Sequence, residues 1–195
     1  MNIYLLSDKV MMAEKWQDYF GNVQNVKIVC GDFCEFMGEY KVDCAIKYVK
    51  SINPNAKIEA FCEFLDENNV DQFKLDECDY VVDAIDSLPS KKALIKYLLK
   101  NEIPFISSLG MGNKLDPEKL CYTKLSKTEM DPLAKKLRSE LRKDGVDLSK
   151  INVVFSKEEP LVKSGTISSM IFVPSAAGLI IASNIIKELL ENMED

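Results

Sequence analysis

Histidine is absent from all 195 residues. That excludes Ser-His-Asp and Cys-His nucleophilic triads, histidine general bases and every histidine-containing zinc site. Chemistry in this chain has to rest on carboxylates, Lys, Arg, Cys or backbone amides. Glycine is scarce, with 8 residues, and neither G-x-G-x-x-G nor G-x-x-x-x-G-K-[ST] occurs, so a nucleotide site here would lack the usual phosphate-binding loop. The six cysteines (Cys30, Cys34, Cys44, Cys62, Cys78, Cys121) contain no Cys-x-x-Cys pair, which removes thioredoxin-like and zinc-ribbon readings. Several lie in apolar runs such as Ile28-Val29-Cys30 and Ala60-Phe61-Cys62, so buried, reduced thiols are expected. Long hydrophobic runs are missing too. The most apolar stretch, Met170 to Ala182, contains Pro174 and falls short of the roughly 20 residues that span a bilayer. Asp8 and Lys9 interrupt the apolar start, unlike a signal peptide. A cytoplasmic protein is expected.

What is present has a globular balance. Apolar residues make up 47%, and 25 basic against 31 acidic side chains leave a formal charge of −6. The length suits a single α/β domain over residues 1–195. Apolar runs alternate with helical patterns, the mark of a Rossmann-like, mostly parallel sheet covered by helices, with the later strands open to antiparallel pairing. Strands are read at Ile3 to Leu6, Val26 to Cys30, Lys57 to Phe61, Tyr80 to Val82, Ile103 to Ser107, Ile151 to Phe155 and Ser168 to Val173. Helices are read at Met11 to Phe20, Val42 to Ser51, Lys91 to Lys100, from Asp131-Pro132 to the stop at Gly145, and from Ala176 to Met193. Gly110 to Lys127 reads as irregular, with Gly110, Gly112 and Asp116-Pro117 as turn signals.

Three features carry chemistry, each with a plainer alternative. Asp83 and Asp86 sit where a strand exits toward a helix, a place where ligands bind in open α/β sheets. Paired carboxylates there can hold Mg²⁺; equally, Asp86 or Ser87 can simply cap the helix. Gly110-Met111-Gly112 can form an anion nest or a turn. From Lys119 to Lys143, eight basic residues face three acidic ones, a local +5 against −11 in the remainder. This is either a solvated helix face or a surface for a polyanion.

Several segments, in order, resemble the ThiF-type, ubiquitin-activating-like adenylating superfamily over residues 41 to about 190, and most closely its tRNA threonylcarbamoyladenosine dehydratase branch. They are Lys41-Val42-Asp43 before Ile52-Asn53-Pro54, Val82-Asp83-Ala84-Ile85-Asp86-Ser87, Lys92-Ala93-Leu94-Ile95 with Ile103-Pro104, and Gly110-Met111-Gly112 before Leu115-Asp116-Pro117. Then come Lys127-Thr128 with Asp131-Pro132-Leu133-Ala134 and Arg138, Phe155-Ser156 with Glu158-Glu159-Pro160, and Gly165 before Val173-Pro174-Ser175-Ala176-Ala177-Gly178. The Thr-x-x-Asp-Pro-Leu-Ala helix start is the mark of the tRNA branch. The resemblance implies ATP and Mg²⁺ as cofactors, with Lys41 on the ATP phosphates and Asp86 as the metal aspartate, Asp83 and Ser87 completing the nucleotide site. It further implies a tRNA substrate held by Lys135, Lys136, Arg138 and Arg142, a homodimer, and a sulfur-carrier or cysteine-desulfurase type protein partner. The implied reaction adenylates the threonylcarbamoyl carboxylate on tRNA and then closes a ring.

The first 40 residues depart from that family. Where it has a glycine-rich loop after the first strand, this chain has Ser7-Asp8-Lys9-Val10-Met11, and the arginine that bridges the phosphates has no counterpart. Residues 1–36 instead resemble the opening of a macro domain, the ADP-ribose-binding fold, through Gly31-Asp32-Phe33. Residues 1–40 are thus read as an atypical β-α-β in place of the glycine-loop segment, and residues 41–195 as the adenylating portion. The alternatives are an inactive, truncated or chimeric relative that acts by binding, or an ADP-ribose binder anchored by Asp32.

Overall fold

The structure is a computed structural model that describes residues 2–7, 25–29, 33–34, 38–161 and 170–194. The expected helix from Met11 to Phe20 and the Gly31-Asp32 step lie outside the described residues. The chain forms two compact units, residues 1–105 and 106–195.

In the first unit, β1 (Asn2–Ser7) pairs in parallel with β2 (Asn25–Val29) on one side and β6 (Tyr80–Ala84) on the other, and β2 pairs in parallel with β5 (Lys57–Phe61). The order β5-β2-β1-β6 is the 3-2-1-4 order of a Rossmann half. A small hairpin, β3 (Phe33–Cys34) with β4 (Glu39–Tyr40), leads into α1 (Lys41–Ile52). Helix α1 buries Val42, Ala45 and Val49 at i, i+3, i+7. It stops where Asn53 turns its N–H back to the Val49 carbonyl at 2.8 Å, just before Pro54. Helix α2 (Leu88–Lys100) starts three residues earlier than the sequence suggests, because Pro89 is tolerated in a first helical turn that needs no amide partner. It buries Leu94, Ile95 and Leu98 completely, and Tyr80, Val81 and Phe73 complete the core.

In the second unit, β7 (Phe105–Ser108) pairs in parallel with β9 (Asn152–Ser156), and β9 pairs antiparallel with β8 (Leu120–Lys124). Strand β8 falls in the segment expected to be irregular. Only Leu120 in it is buried, so it carries no alternation for a pattern reading to find. Helix α3 (Pro132–Lys143) buries Ala134, Leu137 and Leu141, and ends at Gly145, whose φ of +73° is the left-handed conformation glycine adopts without strain.

Helix α4 (Phe172–Glu194) corrects two expectations. Phe172 and Val173, read as the end of a strand, open this helix, with Pro174 in its first turn, where a missing N–H costs nothing. The helix is also longer than the apolar stretch that foreshadowed it. Residues 172–191 average a hydropathy of 1.4 with 28% of the window buried, so one described helix is long and apolar enough to cross a membrane by length and composition. Its inner face, Val173, Ala177, Ile181 and Ile185, is buried, and α4 packs on β8 and β9.

Among the described residues the cysteines are free thiols. Cys78 is buried and Cys44 and Cys121 are half-buried, but Cys62 is exposed. The buried expectation fails at Cys62 because it directly follows β5, which among the described strands pairs with β2 alone.

Candidate functional site

Lys41 is the first residue of α1, after the extended Tyr40, and its side chain is half-buried. At the carboxyl end of β6, the two aspartates of the candidate pair part company. Asp83 is fully buried, and its Oδ2 accepts a hydrogen bond from Lys91 Nζ at 2.8 Å, with Lys91 buried as completely. The other oxygen of Asp83 accepts the Ile85 N–H at 3.1 Å, which fixes the turn out of the strand. Asp86 and Ser87 follow as exposed residues at the N-terminus of α2, where the helix dipole favours negative charge. Ser87 occupies the N-cap position but its side chain makes no cap bond; it meets Ser90 Oγ at 3.1 Å. The structure therefore places Asp86 and Ser87 together at a solvent-facing helix start, and turns Asp83 inward onto Lys91.

Lys91 escaped the sequence reading, yet a signal was there. Lys91, Leu94, Ile95 and Leu98 share one apolar stripe at i, i+3, i+4, i+7, and a charge on such a stripe requires a buried counter-charge.

The second unit holds a similar device. Lys114 is buried, and its Nζ donates to Gly110 O at 2.7 Å, Asp131 Oδ2 at 2.9 Å and Ser156 O at 3.5 Å. Asp131 uses its other oxygen to cap α3 through the Ala134 N–H at 2.7 Å. Glu158, also buried, accepts the amides of Leu115 and Asp116 at 2.8–3.1 Å. A Cβ at Gly110 would lie 3.2 Å from Asp131 Oδ2, a tight approach that the buried carboxylate would have to yield to by a few tenths of an ångström. The Gly110-Met111-Gly112 loop is thus pinned by internal charges.

Of the four basic residues expected to meet tRNA, Lys135, Lys136 and Arg142 are exposed on α3. Arg138 is not turned outward alone: its Nη1 donates to the Thr128 carbonyl at 2.8 Å and also meets Thr128 Oγ1, which ties down the approach to the helix. No group of three or more acidic, Cys or His side chains able to hold a metal occurs among the described residues.

A ThiF family model matches residues 34–195, most of the chain. The chain belongs to the ThiF family. Among curated members, tRNA threonylcarbamoyladenosine dehydratase of Bacillus subtilis (strain 168) is 36% identical over 176 residues, covering 81% of this chain and 69% of that protein. The Escherichia coli (strain K12) protein of the same name is 38% identical over 108 residues, 55% of this chain and 40% of that one. The crystal structure of the E. coli enzyme in complex with AMP superposes with a TM-score of 0.85 at 25% identity, covering 99% of this chain and 87% of that chain. The same enzyme in complex with ATP gives 0.84 at 24% identity. The Rossmann-like α/β fold of the ThiF family is therefore the fold of this chain, including the first strands that precede the matched family segment.

Proposed function

We propose that this ThiF-family chain is a tRNA threonylcarbamoyladenosine dehydratase that uses ATP. The observation carrying this reading is the 36% identity over 81% of the chain to the B. subtilis enzyme; the AMP-bound E. coli structure of matching fold supports the nucleotide. In the proposed reaction a carboxylate oxygen of the threonylcarbamoyl group attacks the α-phosphorus of ATP and pyrophosphate leaves. A nitrogen of the same side chain then attacks the acyl carbon, releasing AMP and a proton as the ring closes.

The chain's own residues take these roles. Lys41 holds the phosphates and offsets charge that develops on them. Asp86 and Ser87 stand at the start of α2, where backbone amides and the dipole favour an anion. An exposed carboxylate at this turn suits Mg²⁺, which is bound by one or two carboxylates together with substrate phosphates; Asp86 would hold it, and it would supply charge neutralisation. Asp83 is assigned a supporting role through Lys91 and the Ile85 amide rather than contact with the nucleotide. Lys135, Lys136 and Arg142 contact tRNA phosphates. The described strands β1 and β2 support reading residues 1–40 as the stand-in for the family's opening segment, since β1 lies between β2 and β6 in the sheet. A sulfur-carrier or cysteine-desulfurase type partner is a separate proposal on which no described residue bears.

The test incubates the protein with ATP, Mg²⁺ and tRNA bearing threonylcarbamoyladenosine, and follows cyclic product by mass spectrometry and Mg²⁺-ATP binding by calorimetry. Product is expected, with both product and binding lost in Asp86→Ala. Absence of product together with absence of ATP binding overturns the reading, and tRNA binding without ATP binding would identify an inactive relative that kept its RNA surface.

A further inference from the structure

Exposed Asp86 stands in a turn that a residue five positions further on grips from both sides. Upstream, Lys91 Nζ donates to Asp83 Oδ2 at 2.8 Å, and Asp83 Oδ1 accepts the Ile85 N–H at 3.1 Å. Downstream, the Lys91 N–H donates to the Ser87 carbonyl at 2.9 Å, the bond with which α2 begins. The residue before Asp86 and the residue after it are thereby tied to one lysine. Its side chain holds the first through Asp83, and its main chain holds the second.

Stability alone does not call for a lysine here. Lys91 shares its buried stripe with Leu94, Ile95 and Leu98, and an apolar side chain of similar volume often serves such a position as well as a buried ion pair does. What an apolar side chain cannot do is reach from α2 to the end of β6 and bond there. The start of α2 needs such a bond. Helix α3 is fixed by its Asp131 cap, whereas Ser87 at the N-cap of α2 makes no side-chain cap bond. A cap on α2 would occupy the first-turn amides that an anion uses. The Lys91–Asp83 bridge fixes the helix start from behind and leaves its front to the nucleotide. Because it neutralises Asp83 in the interior, Lys91 also keeps that carboxylate from competing with Asp86 for a cation.

We propose that Lys91 is the positioning residue for Asp86, holding the β6–α2 turn in the shape that brings the Asp86 carboxylate to magnesium-bound ATP. The inference rests on the adenylation reading and names a residue through which its metal site works. Loss of a partner that orients a metal ligand costs about 10- to 100-fold in metal affinity. The test follows Mg²⁺-dependent ATP binding by calorimetry, and melting by circular dichroism, in the whole chain and three variants. Lys91→Met strands the Asp83 carboxylate in the interior and should melt well below the parent. Lys91→Met/Asp83→Asn buries no charge, keeps an oxygen for the Ile85 amide, and should melt close to the parent. It should nevertheless need about tenfold more Mg²⁺ for half-saturation, while ATP binding without Mg²⁺ stays that of the parent. Stability regained without the metal dependence is a result that a merely structural pair would not give. Leu94→Ala, a cavity in the same stripe, should melt lower than the parent yet keep its Mg²⁺ requirement. A double variant that binds Mg²⁺-ATP like the parent, or a Leu94→Ala that shifts the Mg²⁺ requirement as far as the double variant does, overturns the role of Lys91 and leaves the adenylation reading standing. A parent with no Mg²⁺-dependent ATP binding overturns both.

Discussion

A lysine ammonium with almost no exposure survives in a protein only where acceptors replace its water, and Lys114 has three, two of them neutral carbonyls and one the Asp131 carboxylate. Removing one partner strands the other, and breaking such a buried pair costs about 3–5 kcal/mol. Lys114→Met should therefore lower the melting temperature by about 10 °C, at the few degrees per kcal/mol usual for a chain of this size. Lys114→Met/Asp131→Asn should regain at least half of that. Its asparagine keeps an oxygen for the Ala134 amide while carrying no buried charge. Thermal melts by circular dichroism decide the matter, and a single variant that melts like the parent would mean the pair contributes nothing net. Apart from the Asp131 cap, this network could not be read from spacing, because Lys114, Asp131 and the Ser156–Glu158 segment are far apart in sequence and meet only through the fold.

Elements were legible to the extent that their signals were local. The cap and stop of α3, Asp131-Pro132 and Gly145, lie within one helix length, and both the start and the end follow from them. Strand β5 matches its expected bounds, since Lys57 to Phe61 is flanked by Asn53-Pro54 and a polar run. Strand β8 was illegible because its partner β9 lies some thirty residues on and only pairing makes it a strand. The candidate site divided in the same way. Asp86 and Ser87 sit on the strand–helix turn where the sequence put them, whereas the burial of Asp83 follows from Lys91, in the first turn of α2. How α4 docks on the strands yields a pH prediction. Tyr122 on β8 donates to Glu188 Oε1 at 2.5 Å, and Asn152 on β9 donates to the same oxygen at 3.1 Å. Burial first, then the Glu188 carboxylate, push the Tyr122 phenol's pKa above its usual range. The unfolded chain loses that proton near pH 10, so this contact's stability is fully present below about pH 10 and is lost as pH rises beyond it. Tyr122→Phe should melt lower than the parent at pH 8 and should lose less on going to pH 11. Equal slopes for the two proteins would refute the assignment.

At the scale of the molecule, the net charge of −6 repels RNA, so any tRNA affinity has to come from a local reversal of sign. The basic stretch supplies it, though less fully than its count suggests. Lys124 donates to Asn152 Oδ1, Lys143 pairs with Glu140 at 2.7 Å, Lys119 lies 3.6 Å from Asp116, and Arg138 holds Thr128. Lys127, Lys135, Lys136 and Arg142 stand exposed. Some three or four phosphate contacts give a slope of log affinity against log salt of about −2 to −3.5. Raising salt fourfold should then weaken tRNA binding by roughly 20- to 100-fold, measurable by filter binding or fluorescence anisotropy. Charge reversal at Lys135 and Arg142 replaces two attractions with two repulsions and should flatten the slope as well as cut the affinity, without touching the core. Reversal at Arg138 is the uninformative choice, because it also releases Thr128. A slope near zero, or an affinity unmoved by Lys135→Glu/Arg142→Glu, would return the +5 stretch to an ordinary solvated face and require the tRNA to be held by other residues of the chain.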